Sequence, residues 1–461
     1  MFKVSAQVKR IDMCNGPIFA NIIKYTVPII CTSVLQLLFN AADLVVVGRY
    51  CGSNSVAAVG ATNSLIHLFV NLFIGLGAGV SVAVAYAVGE RDDSKISRVV
   101  HTVIPLAMIC GAIITTIGLT LSKPLLHLMG TPDEILPLSS LYTKIYFCGM
   151  IPSLIYEFSA AVCRASGDTK TPLKFLSLSG IINVILNVFF VTVIDLDVAG
   201  VAIATVTSQI VSCVLMVVFL CRRNDCFKLQ IRKIRVYRQE LLRIVKIGLP
   251  TGIQSSVFSA SNVIIQSSVN SFGAAAIAGN AAAASIEGFI FVAMQSFHQS
   301  SLNYTGQNFG AKNSKRILKA FWTNIVCVTV MSLVIISVVY TFKTNLLSLY
   351  ITDSPASIDF GIKRMSYICL FYSMCGIYEV LNGIVRGMGH SLVTMFISIS
   401  GVCGVRLVWI FTVFKAHHTL DTLYVSYPIS WGACILALIV SAIIIFKKVS
   451  KMFNDSCEKT I

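Results

Sequence analysis

The sequence predicts an all-α membrane protein, with twelve transmembrane helices in two six-helix bundles related by a parallel internal repeat. Three observations carry that prediction. Of 461 residues, 56% are hydrophobic and only 12% charged, against roughly 25% charge in a soluble domain. Long apolar stretches recur, enough to cross a hydrocarbon core of about 30 Å at about 1.5 Å per helical residue. The fragment "IYEFSAAVCRASGDT" from Ile155 shares its skeleton with "IYEVLNGIVRGMGHS" from Ile377, so that Glu157 and Glu379, Arg164 and Arg386, and Gly167 and Gly389 each stand 222 positions apart.

In chain order the spans fall near 20–48, 55–88, 96–121, 135–163, 172–194, 198–220, 243–270, 275–305, 317–342, 358–385, 391–414 and 422–446. A membrane barrel would show segments of about ten residues with strict alternation. These stretches are longer and apolar throughout. The N-terminal "MFKVSAQVKRIDMCNGPIF" lacks a compact apolar core with a small-residue cleavage site, so no signal peptide is expected.

The net charge of +16 is placed for a membrane rather than for nucleic acid. With the N-terminus in the cytoplasm, about 27 of the 36 Lys and Arg fall in or beside inner loops and tails, and about four in outer loops. The largest block, "CRRNDCFKLQIRKIRVYRQELLRIVK" from Cys221, lies between spans six and seven, where it should rest on anionic headgroups. No nucleic-acid partner is expected. The chain is read as a multi-pass protein of a bacterial-type cytoplasmic (inner) membrane, with both termini cytoplasmic and membrane lipids as neighbours.

The repeat reaches beyond its founding fragment. Pro28 answers Pro250 and Asn40 answers Asn262 at the same 222-residue offset. Six spans fit each copy, and an even number returns the chain to its starting side. The halves therefore keep one orientation, about an axis along the membrane normal, with a central cleft between bundles as in many secondary transporters. Residues 1–221 form the expected N-terminal lobe, 222–242 a basic cytoplasmic linker, and 243–461 the C-terminal lobe and tail.

Fifteen cysteines stand singly, with no C-x-x-C, and most lie inside spans where a thiol behaves as a small hydrophobe. The seven histidines show no ligand spacing, so no metal site or cofactor is expected. His67 and His298, inside spans, read as packed or hydrogen-bonded. No Walker A, G-x-S-x-G or H-E-x-x-H string occurs, which argues against an ATPase or any other enzyme, and "GLGAG" at Gly75 reads as close helix packing.

An ionised carboxylate inside a bilayer costs several kcal/mol unless it is paired, hydrated or protonated. Four acids lie well inside spans: Asp43, Glu157, Glu287 and Glu379. Gln36, Asn40 and Asp43 fall at i, i+4 and i+7 on one helix face. Their carboxylate is a candidate for a proton or a cation, against the alternative of a helix-end acid satisfied by local donors. Pro28, fifteen residues earlier, removes a helix hydrogen bond and makes a bend point, whether mobile or static. Asn183 and Asn187 on span five, and Thr205 and Gln209 on span six, are candidates for substrate or ion contacts, or for helix glue. Glu287 shares a face with Phe291, Met294 and His298, suiting either an organic-cation pocket or a buried pair with a neighbouring helix. Being duplicated, Glu157 and Glu379 fit ion-pair bracing with Arg164 and Arg386, with Glu379 also a cation-site candidate.

Together the strings "GPIFANIIKYTVPIICTSVLQLLFNAADLVVVGRYCG", "RASGDTKTP", "DVAGVAIAT", "TGQNFGAKNS" and "VRGMGHS" resemble the multidrug and toxic compound extrusion (MATE) transporters over nearly the whole chain. The resemblance is nearest to their DNA-damage-inducible F-like branch. It implies twelve helices in two lobes, alternating access, and export of amphipathic, often cationic compounds against inward H⁺ or Na⁺. It also implies an N-lobe site at Asp43, Asn183, Asn187 and Thr205, with Pro28 as the bendable proline. Asn187 departs from that pattern, since the branch often has a second aspartate there. Some relatives use glutamates on helices eight and ten, which makes Glu287 and Glu379 a candidate C-lobe set.

The expected function is therefore an antiporter for small organic substrates, acting as a monomer and needing no cofactor beyond its coupling ion, H⁺ or Na⁺. Asp43, Glu287 and Glu379 are the ion-coupling candidates, and Gln36, Asn40, Asn183, Asn187, Thr205 and Asn262 the polar binding candidates. A flippase for lipid-linked oligosaccharides is the alternative within the superfamily. It would need a basic lining, whereas the in-span cations are mainly Lys24, Lys144, Lys363, Arg364 and Arg406. A passive channel or membrane receptor would repeat its polar groups around one axis, whereas Asp43 answers Ile265 across the repeat.

Overall fold

A computed structural model describes residues 10–351 and 354–458; the first nine residues of the segment read above for a signal peptide lie outside it. The described residues are helical with connecting turns, and contain no strand. The first half comprises α1 (Ile18–Tyr50), α2 (Ser53–Gly89), α3 (Asp93–Leu128), α4 (Leu136–Cys148), α5 (Met150–Ala165), α6 (Lys170–Thr192) and α7 (Asp197–Cys221). The second comprises α8 (Arg238–Asn270), α9 (Ala274–Gly310), α10 (Ser314–Thr341), the short α11 (Lys343–Ser348), α12 (Pro355–Ile368), α13 (Tyr372–Gly387), α14 (Ser391–Ser398), α15 (Val405–Trp409) and α16 (Leu420–Glu458).

All twelve expected spans are helical. Among the described residues ten stretches are long and apolar enough to cross a membrane, and α4 with α5 makes an eleventh, bent by 48° at Gly149. The remaining one, α8, carries so many Ser, Gln and Asn side chains that it falls short on apolarity while keeping its 33 residues of helix. The repeat reaches the backbone. α1 and α8 are 33 residues each, and α2 and α9 are 37 each. Gly52 and Gly273, 221 positions apart, open the second helix of each half with φ of 88° and 89°, a left-handed conformation that glycine adopts without a Cβ penalty. Arg91 and Lys312, again 221 apart, share φ of 56° and 54°.

The chain forms two compact units, residues 1–11 with 31–252, and residues 12–30 with 253–461. In the first, Val84, Val103, Phe147, Phe158 and Met216 centre the apolar core. Gly75 does mark close packing, since a Cβ there would fall 2.2 Å from the backbone nitrogen of Gly252 on α8. The basic linker lies along α3, with Gln230 N donating to His101 Nε2 at 3.0 Å and Tyr237 N to Thr102 Oγ1 at 3.2 Å. In the second unit, Tyr378, Leu381, Val402, Cys434 and Leu438 share a core in which α13 packs on α16.

Candidate functional site

The stripe on α1 divides among three surroundings. Gln36 Nε2 donates to Glu157 Oε1 on α5 at 3.4 Å, and Glu157 in turn lies 3.7 Å from Arg164. Asn40 is exposed, as is Asn262 on α8. Asp43 turns toward α6 and α7. Asn187 Nδ2 donates to its Oδ1, and the Thr205 hydroxyl stands 3.4 Å from its Oδ2. Asn183, one turn before Asn187, accepts from the same amide at 3.3 Å and donates to Thr205 Oγ1 at 3.4 Å. Both asparagines are buried.

The chemistry of this group follows from counting its protons. A hydroxyl donates once, and Thr205 also reaches the Val201 carbonyl at 3.0 Å. It therefore serves either the helix backbone or Asp43. Asn187 Oδ1 is buried and accepts no hydrogen bond among the described residues. Among the described residues no Lys, Arg or His forms an ion pair with Asp43. A carboxylate held by neutral donors has the chemistry to take up a proton or a small cation.

The two C-terminal glutamates lie in different company. Glu287 on α9 receives both Arg364 Nε at 3.0 Å and Arg364 Nη2 at 2.7 Å, a bidentate pair wholly inside the second unit. Arg364 Nη1 donates to Asn280 Oδ1 at 2.7 Å, and Tyr424 approaches the same oxygen at 3.3 Å. Of the two alternatives for Glu287, the buried pair is the one formed. Glu379 on α13 has His298 Nδ1 3.2 Å from its Oε2 and 3.0 Å from its carbonyl. His298 Nε2 faces Arg386 Nη1 at 3.4 Å. Arginine only donates, so Nε2 accepts, the ring proton sits on Nδ1, and that N–H points at Glu379. Arg386 also donates to Thr394 Oγ1 at 3.1 Å and to Gln254 Oε1 at 2.7 Å. The bracing pair of the first half, Glu157 with Arg164, is thus bridged by a histidine in the second.

Pro28 lies within α1, and the helix continues through it. No group of three His, Cys, Asp or Glu is placed to hold a metal ion among the described residues. Arg364, Asn280 and the His298 bridge are site features that spacing does not reveal, because their partners lie 77 to 84 positions away.

Comparisons with known proteins agree with this architecture. The MatE family model matches twice, over residues 28–189 and 250–412. The chain is 26% identical over 392 residues to the "Probable multidrug resistance protein YpnP" of Bacillus subtilis (strain 168), covering 85% of this chain and 87% of that one. It is also 26% identical over 425 residues to the "Probable multidrug resistance protein YoeA" of the same strain, covering 90% and 91%. A crystal structure of a MATE in complex with MaL6 superposes with a TM-score of 0.89 at 20% identity, over 96% of this chain and 99% of that one. With both halves matched and its helices laid out as in that structure, the chain belongs to the MatE family, a family of membrane transporters rather than enzymes.

Proposed function

We propose that the chain is a secondary active exporter, an antiporter that moves amphipathic, often cationic organic compounds outward by alternating access while H⁺ or Na⁺ flows in, with Asp43 as the coupling carboxylate. One observation carries the reading: Asp43 is held by the neutral groups Asn187 and Thr205, and among the described residues it is the in-span acid with no Lys, Arg or His in its hydrogen-bonded group. Glu287 already has a permanent cation in Arg364. A coupling group must gain and lose its positive charge through the cycle, and a bidentate guanidinium leaves no place for one. The names of the two relatives give multidrug resistance for those proteins. The gathering of Asp43, Asn183, Asn187 and Thr205 supports the DNA-damage-inducible F-like branch. The lobe boundaries near 221 and 243, the cytoplasmic termini and the inner-membrane location complete the same reading.

The test is uptake of a fluorescent cation into inverted vesicles with a H⁺ or a Na⁺ gradient imposed alone. Uptake driven by one gradient and lost in Asp43→Asn is the expected result. Full uphill uptake by that variant would move the coupling site elsewhere.

A further inference from the structure

Arg406 is the largest fully buried side chain among the described residues, at 1% exposure. It is carried on α15, between two π-helical segments, Ile399–Gly404 and Ile410–Phe414. Such widened turns are rare in helices and recur at functional sites. Three parts of the guanidinium can be followed separately. Its flat face lies on the Tyr427 ring, 4.1 Å from the centroid, with Trp431 and Phe258 each 5.9 Å away. Its Nε donates to Ser430 Oγ at 2.9 Å. Its outer edge, Nη1 and Nη2, is enclosed and meets no acceptor among the described residues.

That outer edge is the fork with which arginine grips a carboxylate or another anion through parallel N–H donors. Burying a permanent cation without a counter-charge is expensive, and the other buried charges of this unit show how it is normally avoided. Arg364 has Glu287, and Arg386 shares the His298–Glu379 group. Three arginines therefore stand against two acids in the buried interior of residues 12–30 with 253–461, and the excess cation is the one with unused donors.

We infer that Arg406 is the centre of an anion-binding site in the second unit, taking a halide or an organic carboxylate end-on at Nη1 and Nη2, with Tyr427 fixing the plane of the fork. The two sources share one chemistry, a compact monoanion accepting two N–H bonds. The inference is independent of the export reading and of Asp43.

The test uses the three tryptophans of the chain. Trp431 stands beside the guanidinium, so bromide held at the fork quenches it at close range. Full-length protein in nanodiscs of uncharged lipid is titrated with potassium bromide at constant ionic strength. The expected result is a saturable quench that Trp431→Phe removes, superposed on a linear collisional quench from Trp322 and Trp409. Arg406→Gln should abolish the saturable part, and Arg406→Lys, which keeps charge but not the fork, should weaken it at least tenfold. Displacement of bromide by chloride but not benzoate marks an inorganic-halide site, and displacement by benzoate marks one that accepts organic carboxylates. Purely linear quenching in the native protein overturns the inference without recourse to any variant, as does a saturable quench unchanged in Arg406→Gln.

Discussion

Asp43 in the first unit and Glu287 in the second are held by different kinds of partner. In the first unit Asp43 is surrounded by an amide, a hydroxyl and an unused carbonyl oxygen. In the second, Glu287 is gripped by a guanidinium and Glu379 by an imidazole that leans on another guanidinium. The backbone repeat is close enough to reproduce a left-handed glycine after 221 residues, yet Asp43 itself answers an isoleucine, Ile265. Duplication supplied the frame, and divergence at single positions left Asp43 among neutral partners while Glu287 is paired with an arginine.

The largest expected effect comes from breaking the arginine pair. Glu287→Gln leaves the Arg364 guanidinium buried without its carboxylate, and removing one partner of such a pair costs about 3–5 kcal/mol. Thermal unfolding of the purified protein should register it. Replacing both partners, Glu287→Leu with Arg364→Met, should recover most of the loss, because well-packed apolar residues can replace a buried ion pair at little or no cost. A Glu287→Gln protein as stable as the native one would mean that the pair is not what holds α9 to α12.

Asp43→Asn should show the reverse pattern. It removes a buried carboxylate and leaves no orphan cation, so stability should change by less than about 1 kcal/mol, the size of one ordinary hydrogen-bond adjustment. Transport should lose its ion dependence. One charge moving through 100 mV is worth about 2.3 kcal/mol, so about fiftyfold accumulation per coupled charge should collapse toward equilibration. Measuring stability and uptake on the same preparations separates the two halves in a single experiment.

Much of this was legible in the sequence, for reasons that differ by residue. Asp43 stood out because an acid in an apolar run is costly anywhere, and the one-turn spacing of Asn183 and Asn187 put both on the face that meets it. Asn40 and Asn262 matched across the repeat, yet both are exposed, because repeat symmetry preserves helix position without preserving what a side chain touches. The partner of Glu287 was hidden for a different reason. Periodicity reads one helix at a time, whereas Arg364 arrives from a helix 77 residues later. The stretch 243–270 reads as apolar, yet α8 carries enough Ser, Gln and Asn to fall short on apolarity while remaining a 33-residue helix.

A smaller effect sharpens the comparison inside the first unit. Thr205 divides its one proton between Val201 and Asp43, so Thr205→Val removes a minor donor while Asn187 stays. A neutral hydrogen bond is worth about 1 kcal/mol net. The ion concentration for half-maximal transport should shift by about fivefold, with maximal uptake retained. Thr205→Ser, which keeps the hydroxyl, should stay near the native value. Equal loss in both variants would place the role of Thr205 in packing instead.

The smallest effect belongs to an acid outside the membrane, where the contrast between neutral and charged partners fades. Asp12 lies in the turn before α1, in the second unit. Partial burial opposes its ionisation, but the Asn15 amide, the backbone N–H groups of Cys14 and Asn15, and the charge of Arg316 outweigh it and hold the carboxyl below its usual range. The turn is itself gripped by Arg316, which donates to the carbonyls of Met13 at 2.8 Å, Asn15 at 2.8 Å and Gly16 at 3.0 Å. Because the folded-state value is the lower one, the stabilisation is fully present above the unfolded value of about 3.9 and fades as pH falls through the folded one. The window therefore lies wholly below about pH 4. Asp12 is exposed, so solvent screening limits its contribution to below about 1 kcal/mol. Comparing Asp12→Asn with the native protein in thermal melts at pH 7 and at acid pH should show a small deficit that narrows on acidification, and a deficit that widened instead would mean that the carboxylate is strained rather than held.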